Sequence, residues 1–423
     1  MPVGLLIFFT LINLLNYFDR YIVNAVEPLL HRDFALSNTE SGLAGAAFVL
    51  GYATCSPLFG YLGDRFDRRA LMVLGLLAWS IFTGLTGLVS GFYTFLVVRM
   101  VVGVGEASFS AIVPGYLKSR VTDTIALNSA LSLFYAAIPV GSALGYVVGA
   151  AVAERFGWRA LFGSASLPGM LLALGFYFVA RDGRESVPVP SQHGFLPSIK
   201  LVLASRVLRL TILGYIFNTF ALNGVALFVV RYGSSLGMEI GAVGKIFGIL
   251  LVCAGFIGTL GGGRLASWYA RQKPGQLESL LLFVSISTFI GVPFLGIAFL
   301  VKSPELFFVA CFLAELALFA GVAPLNSVIV ERAPEGLETF TQGLTIFSIQ
   351  LFGSALAPIF IGKLADILAN GFLKTPSANG AALGYALQLS TVAMVLSAGA
   401  WLLATRAERG ERQRSGGGKL SEF

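Results

Sequence analysis

GYLGDRFDRR, residues 60–69, stands between two long apolar runs, and a weaker copy, GRLASWYARQ, stands at residues 263–272. Aligning Gly60 with Gly263 puts Leu62 on Leu265, Gly63 on Ala266 and Arg68 on Arg271. Each copy follows the second apolar run of its half of the chain. A basic turn repeated at matching places in two sets of apolar segments points to a duplicated membrane bundle, a common plan for carriers whose site opens alternately to each side.

The composition agrees. The 423 residues are 56% hydrophobic and 12% charged, with 50 Gly and 36 Phe, and the mean hydropathy is +0.81. Soluble domains carry about 25% charged residues, so this chain has too few to cover its apolar surface in water. A membrane crossing takes about 20 apolar residues. Such runs lie near 4–28, 40–63, 70–90, 93–117, 124–151 and 158–180, then near 208–231, 240–263, 277–300, 304–329, 340–368 and 380–404. The reading is an all-α integral membrane protein of twelve transmembrane helices in two six-helix bundles. The N-terminal bundle covers 1–180, a cytoplasmic linker 181–207, the C-terminal bundle 208–405 and a cytoplasmic tail 406–423. The last residues, GGGKLSEF, look like a linker or cloning scar.

Most of the 29 Lys and Arg fall in the even-numbered gaps and the C-terminal tail. Basic loops stay inside, so both termini and the linker are expected in the cytoplasm. The net charge of +7 is spread over short loops rather than one face, which argues against nucleic acid as a partner. No basic stretch precedes the first apolar run, and no secretory signal is expected. Ser37 with Glu40 reads as a capping box, and Ser303–Pro304 as an N-cap followed by Pro at the first helical position. Pro188 and Pro190 keep the linker from continuing a helix. Cys55, Cys253 and Cys311 lie in apolar runs and form no disulfide framework. His31 and His193 have no metal-ligand spacing, and no G-x-x-x-x-G-K-[ST] is present. No cofactor, metal or catalytic apparatus is expected.

Charges inside the spans carry the chemistry. An ionised side chain at mid-membrane costs about 2.5–3.5 kcal/mol even on insertion scales. Asp19, Arg20, Arg99, Glu106 and Glu315 all lie in such positions and are expected to face a protein-lined cavity. Arg99 and Glu106 share a face of span four, about 10.5 Å apart along the axis, too far to pair within the helix. If spans one and four pack together, Asp19 can meet Arg99 and Arg20 can meet Glu106. A static network that locks the fold is the alternative. A carboxylate balanced between burial and a nearby arginine can take and release a proton; Glu106 is the first candidate carrier and Asp19 the second. Arg20 and Arg99 are candidates for an anionic headgroup, because guanidinium meets phosphate bidentately. Glu315, Asn218 and Asn223 are candidate substrate contacts in the second half, with hydrogen bonding between helices as their plainer use.

In the 60–69 stretch, Gly60 and Gly63 allow close helix approach. Asp64 can accept hydrogen bonds at a neighbouring helix start, and Arg65, Arg68 and Arg69 can bridge to acidic groups. These residues are read as a gate; a purely topogenic basic loop is the alternative. Gly141, Gly145 and Gly149 form a small-residue stripe on span five, suited to a moving helix contact or to a fixed seam. Pro139 just before it can add a bend.

The six-plus-six plan and GYLGDRFDRR resemble the major facilitator superfamily, departing at Asp67, where that pattern usually has glycine. The second copy has Ser267 at the acidic position, which implies a weaker contact. NYFDRYIVNA at 16–25, GYLGDRFDRRALMVLGLLAWS at 60–80, RMVVGVGEASF at 99–109 and FGWRALF at 156–162 resemble the Spinster family of lipid transporters more narrowly. That resemblance implies export of a lysolipid or sphingosine-1-phosphate, linked to protons in bacterial members as in a proton antiport. It makes Asp19, Arg20, Arg99 and Glu106 the central polar residues. The compact chain points to a bacterial inner membrane. A monomeric secondary active transporter of lysophospholipid or a related amphipathic lipid is therefore expected. A proton-coupled multidrug or organic-anion exporter is the nearest rival. A non-transporting membrane receptor or scaffold is the rival of another class.

Overall fold

The structure is a computed structural model that describes residues 3–36, 38–179, 193–371 and 378–417. The Ser37–Glu40 box, the His31 side chain and Pro188 and Pro190 lie outside the described residues. Among the described residues there are helices and no strand. Eleven helices are long and apolar enough to cross a membrane. One of them, α5 (Thr124–Val179), holds 56 residues and is interrupted at Gly157, where φ is 81°. At 1.5 Å per residue it is far longer than the hydrocarbon layer, about 30 Å. It therefore makes two passes, turning at a glycine that carries the positive φ without strain. The expected twelve crossings are present. The chain stays helical through Pro139.

The other helices are α1 (Val3–Asp33), α2 (Asn38–Gly63), α3 (Arg68–Thr86) and α4 (Phe92–Arg120), then α6 (Phe195–Ala204), α7 (Arg206–Ser235), α8 (Ile240–Arg271) and α9 (Gln276–Ala298). They are followed by α10 (Pro304–Ala320), α11 (Val322–Glu331), α12 (Glu338–Ser348), α13 (Leu356–Gly371) and α14 (Ala378–Gly417). Four features depart from the sequence reading. Span ten is broken at Gly321 into α10 and α11. Span eleven is α12, a π-helical segment Ile349–Ser354, and α13. The linker region contains α6, whose FLPSIKLVLA pattern was too short to register as a span. Span twelve runs on as α14 well past residue 404. The Ser303 cap is as expected: its hydroxyl accepts from Leu306 N at 3.3 Å, with Pro304 opening α10. Asp67 is the N-cap of α3, accepting from Arg69 N at 2.9 Å, a task glycine lacks the side chain to perform.

The chain divides into two compact units. The first comprises residues 1–122, 133–201 and 333–347; the second comprises 123–132, 202–332 and 348–423. The start of α5 thus belongs to the second unit and most of α12 to the first. In the first unit, α4 packs along α2 and α3, and Ile22, Val26, Phe95, Trp158 and Phe162 form an apolar core. In the second, α14 packs on α7 and α9, and α10 on α8 and α9, around a core that includes Val225, Phe307, Ala314 and Met394.

Candidate functional site

The first unit gathers the charged residues of α1 and α4. Two glycines of the G-V-G-E-A stretch explain how. A Cβ at Gly103 would strike the Phe48 carbonyl, and one at Gly105 would come within 2.8 Å of both Gly75 O and Trp79 Cβ. Both positions therefore have to lack a side chain for α4 to lie this close to α2 and α3. That closeness delivers aromatic partners to the charges. Arg20 pairs with Glu106, Nη2 to Oε2 at 3.1 Å. The Arg20 guanidinium also sits over Tyr17, Phe48 and Tyr52, at 4.6, 4.8 and 4.5 Å from the ring centroids. Three ring faces and one carboxylate stabilise a cation that is only partly exposed.

Asp19 does not pair with Arg99. Its Oδ2 accepts from Trp79 Nε1 at 2.6 Å and from Thr83 Oγ1 at 3.4 Å, both on α3. Arg99 is buried at 1% exposure, with its guanidinium 5.4 Å from the Phe48 ring centroid and 5.9 Å from that of Phe162. Among the described residues, Arg99 Nε and Nη1, Asp19 Oδ1, Glu106 Oε1, Arg20 Nε and both amide atoms of Asn16 have no hydrogen-bond partner. Asn16 lies beside Glu106 and is fully buried. Unpartnered buried polar atoms are costly and few in native proteins, and here they converge. Such a cluster suits water, protons or an anionic group.

The predicted gate residues divide by partner. Asp64 reaches the start of α12, which belongs to the same unit. Its Oδ1 accepts from Thr339 N at 3.0 Å and its Oδ2 from Phe340 N at 2.7 Å. Thr339 Oγ1 returns a bond to Gly60 O at 2.6 Å. A Cβ at Gly60 would strike Thr339 O, and one at Gly63 would lie 2.8 Å from Ile112 Cγ1, so both glycines are needed for the approach. Arg68 donates to Asp64 Oδ1 at 3.1 Å and lies 3.7 Å from Glu338 Oε2. Burial pushes the Asp64 carboxyl up to about 6, against the lowering effect of its bonds from Thr339, Arg68 and Phe340. Arg65 stacks 3.5 Å from the Tyr61 ring centroid and bonds to the His193 carbonyl just ahead of α6. Arg69 leaves this cluster for Tyr177, at the end of α5.

Gly141 and Gly145 line the contact of α5 with α1. A Cβ at Gly141 would strike Leu14 O, and one at Gly145 would lie 2.7 Å from Phe18 O. The stripe sets how closely α1, with Asp19 and Arg20, can lie.

In the second unit, Asn218 is buried with its Oδ1 unpartnered. Asn223 donates to Thr219 O of its own helix at 3.0 Å. Next to them the π-helical segment packs Gly353 against Ile216 O and Thr219, and π turns frequent functional sites. Glu315 is buried with Oε2 unpartnered. At the second copy of the basic turn the partner of Ser267 is Asn128 of α5. Asn128 Nδ2 donates to Ser267 Oγ and to Gly263 O, both at 2.9 Å, and Ser327 donates to Asn128 Oδ1 at 3.3 Å.

Trp79, Thr83, Asn16, the Tyr17–Phe48–Tyr52 cage, Asn128 and Thr339 were not singled out in the sequence. Polar Asn16 and Asn128 inside spans carried a readable signal. The aromatic residues carried none, being indistinguishable there from lipid-facing ones.

The Major Facilitator Superfamily profile matches residues 9–358. The "Probable sphingolipid transporter spinster homolog 2" of Arabidopsis thaliana is 29% identical over 403 residues, covering 87% of this chain and 82% of its own length. Spinster homolog 1 of Xenopus laevis is 29% identical over 415 residues, covering 92% and 78%. A crystal structure of a bacterial homolog of the human lysosomal transporter Spinster, inward-facing and unoccupied, shares the fold with a TM-score of 0.66 and 21% identity, covering 96% of this chain and 97% of that one. By the match over most of its length and its helical architecture, this chain is a membrane transporter of the major facilitator superfamily.

Proposed function

We propose that this chain carries an amphipathic lipid with an anionic or zwitterionic headgroup, lysophospholipid or sphingolipid in class, by alternating access linked to protons. The observation that carries the reading is the Arg20–Glu106 pair, its carboxylate fully buried beside unpartnered polar atoms of Asp19 and Arg99. A fixed brace would leave few such atoms without partners. A headgroup phosphate at Arg20 or Arg99 would supply acceptors to the free guanidinium nitrogens. It would also compete with Glu106 for Arg20. A proton on Glu106 weakens the same pair, so protons and substrate act on one element and are thereby linked. Asp19, held by Trp79 and Thr83, is the second proton-binding group. Asn218, Asn223 and Glu315 are the candidate substrate contacts of the second unit taken by itself.

Asp64, Arg68 and Gly60 form the latch on the start of α12 that has to open during the cycle, with Arg65 and Arg69 anchoring its flanks. Gly141 and Gly145 let α1 shift along α5. The basic turn and both termini face the cytoplasm, in a bacterial inner membrane. The similarity to the probable sphingolipid transporter of Arabidopsis thaliana supports a lipid substrate.

The test is uptake of a labelled lysophospholipid into proteoliposomes, with and without a pH gradient, beside a neutral amphipathic drug. Lipid uptake that follows the gradient and exceeds drug uptake is expected. Gradient-independent uptake removes the proton link, and absence of lipid uptake removes the substrate class.

A further inference from the structure

A second binding feature lies at the end of the second unit where α7 begins and α14 projects. Trp401 Nε1 donates to Thr211 O at 3.1 Å and Ser397 Oγ to Gly214 O at 2.8 Å. This antiparallel register brings the level of Arg206, the first residue of α7, to about residue 406 of α14. Beyond it α14 continues, so that Arg414 lies about 12 Å further along the axis. The face of α14 turned away from the Ser397–Trp401 seam is open there. It forms one side of a cleft of about 460 Å³.

Leu403 and Ala407 line the cleft on its apolar side, and Gly410 leaves room between them and Arg414. Arg206, Arg406 and Arg414 supply three guanidinium groups. The one carboxylate in the lining, Glu411, lies 3.3 Å from Arg332 Nη1. The neighbouring carboxylates are occupied as well: Glu408 by Arg332, and Glu278 by Arg409 and Arg412. Among the described residues, Arg206, Arg406 and Arg414 have no ion pair or hydrogen bond, whereas Arg332, Arg409 and Arg412 all do. The positive-inside rule accounts for basic residues at this end of the helices. It does not account for three unpaired ones converging on one cleft with an apolar wall. Below them Leu402, Leu403 and Leu213 are 39%, 45% and 42% exposed, a surface suited to acyl chains.

We propose that this cleft binds the headgroup of an anionic phospholipid of the surrounding membrane. The phosphate meets Arg206 and Arg406 bidentately, Arg414 takes the outer part of the headgroup, and the chains descend over Leu402 and Leu403. The continuity of the arginine cluster with exposed apolar surface favours a membrane lipid over a soluble phosphate. None of the residues assigned to transport takes part, so the site is available for a resident or regulatory lipid.

The experiment uses the purified full chain in mild detergent, titrated separately with phosphatidylglycerol, phosphatidylcholine and inorganic phosphate. Bound lipid is counted by native mass spectrometry and stabilisation is followed by thermal unfolding. Phosphatidylglycerol should bind and raise the melting temperature at concentrations where the other two do neither. Each arginine near an anionic lipid surface is worth about fivefold in affinity. The Arg206→Gln/Arg406→Gln/Arg414→Gln variant should therefore lose affinity on the order of a hundredfold, and Arg406→Gln alone about fivefold. The single variant serves if the triple one does not fold. A charge-matched control, Arg231→Gln/Lys245→Gln/Lys302→Gln, should bind as the wild type does. Equal binding of phosphatidylcholine, equal stabilisation by phosphate, or undiminished affinity in the arginine variants would each overturn the proposal.

Discussion

Asp64 Oδ2 accepts the backbone N–H of Phe340 at 2.7 Å, although 276 positions separate the two residues in sequence. With the Thr339 N–H on its other oxygen, this one carboxylate satisfies two of the donors that α12 exposes at its start. It also meets the positive end of that helix dipole. Any motion that frees α12 from α2 has to give up these bonds together.

Asp64→Ala should therefore loosen α12 first. Losing charge-assisted bonds to two buried N–H groups costs about 1.5–3 kcal/mol. Amide exchange at residues 339 and 340 is expected to quicken by about ten- to a hundredfold. Exchange at the wild-type rate would show that the cap does not hold the helix.

The proposed latch is also expected to depend on pH. Burial raises the Asp64 carboxyl from 3.8 to about 6, so the latched state holds this proton more tightly than a solvated carboxylate does. Lowering the pH through 6 thus favours the latched state over a released one, with the contribution complete below about 3.8 and lost as pH rises through 6. A cysteine label at position 339 or 340 would perturb the cap, so the readout is amide protection of 339–345, corrected for intrinsic exchange. Protection should rise between pH 7 and 5 in the wild type and stay flat in Asp64→Asn. A slope of the opposite sign would contradict the assignment.

Glu106→Gln keeps the shape of the side chain but removes its charge. Uptake should persist at reduced rate and lose its response to the pH gradient. Arg20→Ala leaves Glu106 buried without its cation, which costs about 3–5 kcal/mol in soluble proteins. Its uptake of an anionic lipid should fall more than that of a neutral amphiphile. Retention of the gradient response by Glu106→Gln would exclude Glu106 as the proton carrier.

Trp79→Phe deletes the 2.6 Å donor to Asp19 and also trims the fully buried indole to a phenyl ring. A cost of about 1–3 kcal/mol in stability is expected, visible as a lower melting temperature. In Asp19→Asn the same substitution should cost distinctly less. Equal costs in the two backgrounds would mean that Trp79 matters for packing alone.

Gly105→Ala tests the α3–α4 approach. The added methyl would sit 2.8 Å from Gly75 O and Trp79 Cβ, and overpacking of this kind costs about 1–3 kcal/mol. Gly163→Ala, where a Cβ meets nothing within 4 Å, should be neutral by the same thermal measurement.

Twelve crossings and the four charges of α1 and α4 were readable from the chain. Apolar runs of membrane length require helices in lipid, and ionised residues inside those runs require a polar interior between the helices. The Ser303 cap was readable for a similarly local reason. Tertiary structure decided what each charge meets. The sequence allowed Asp19 with Arg99 as readily as Arg20 with Glu106, and only the second pair exists. Asp19 meets Trp79 and Thr83 of α3 instead, a partnership no local pattern encodes. The reach of Asp64 to α12, the π segment beside Asn218 and the open face of α14 belong to the same class. Local propensity and burial act along the chain and leave their mark in it. Partner choice depends on which side chains lie within a few ångströms after the helices pack, and residues 64 and 340 acquire a common address only then.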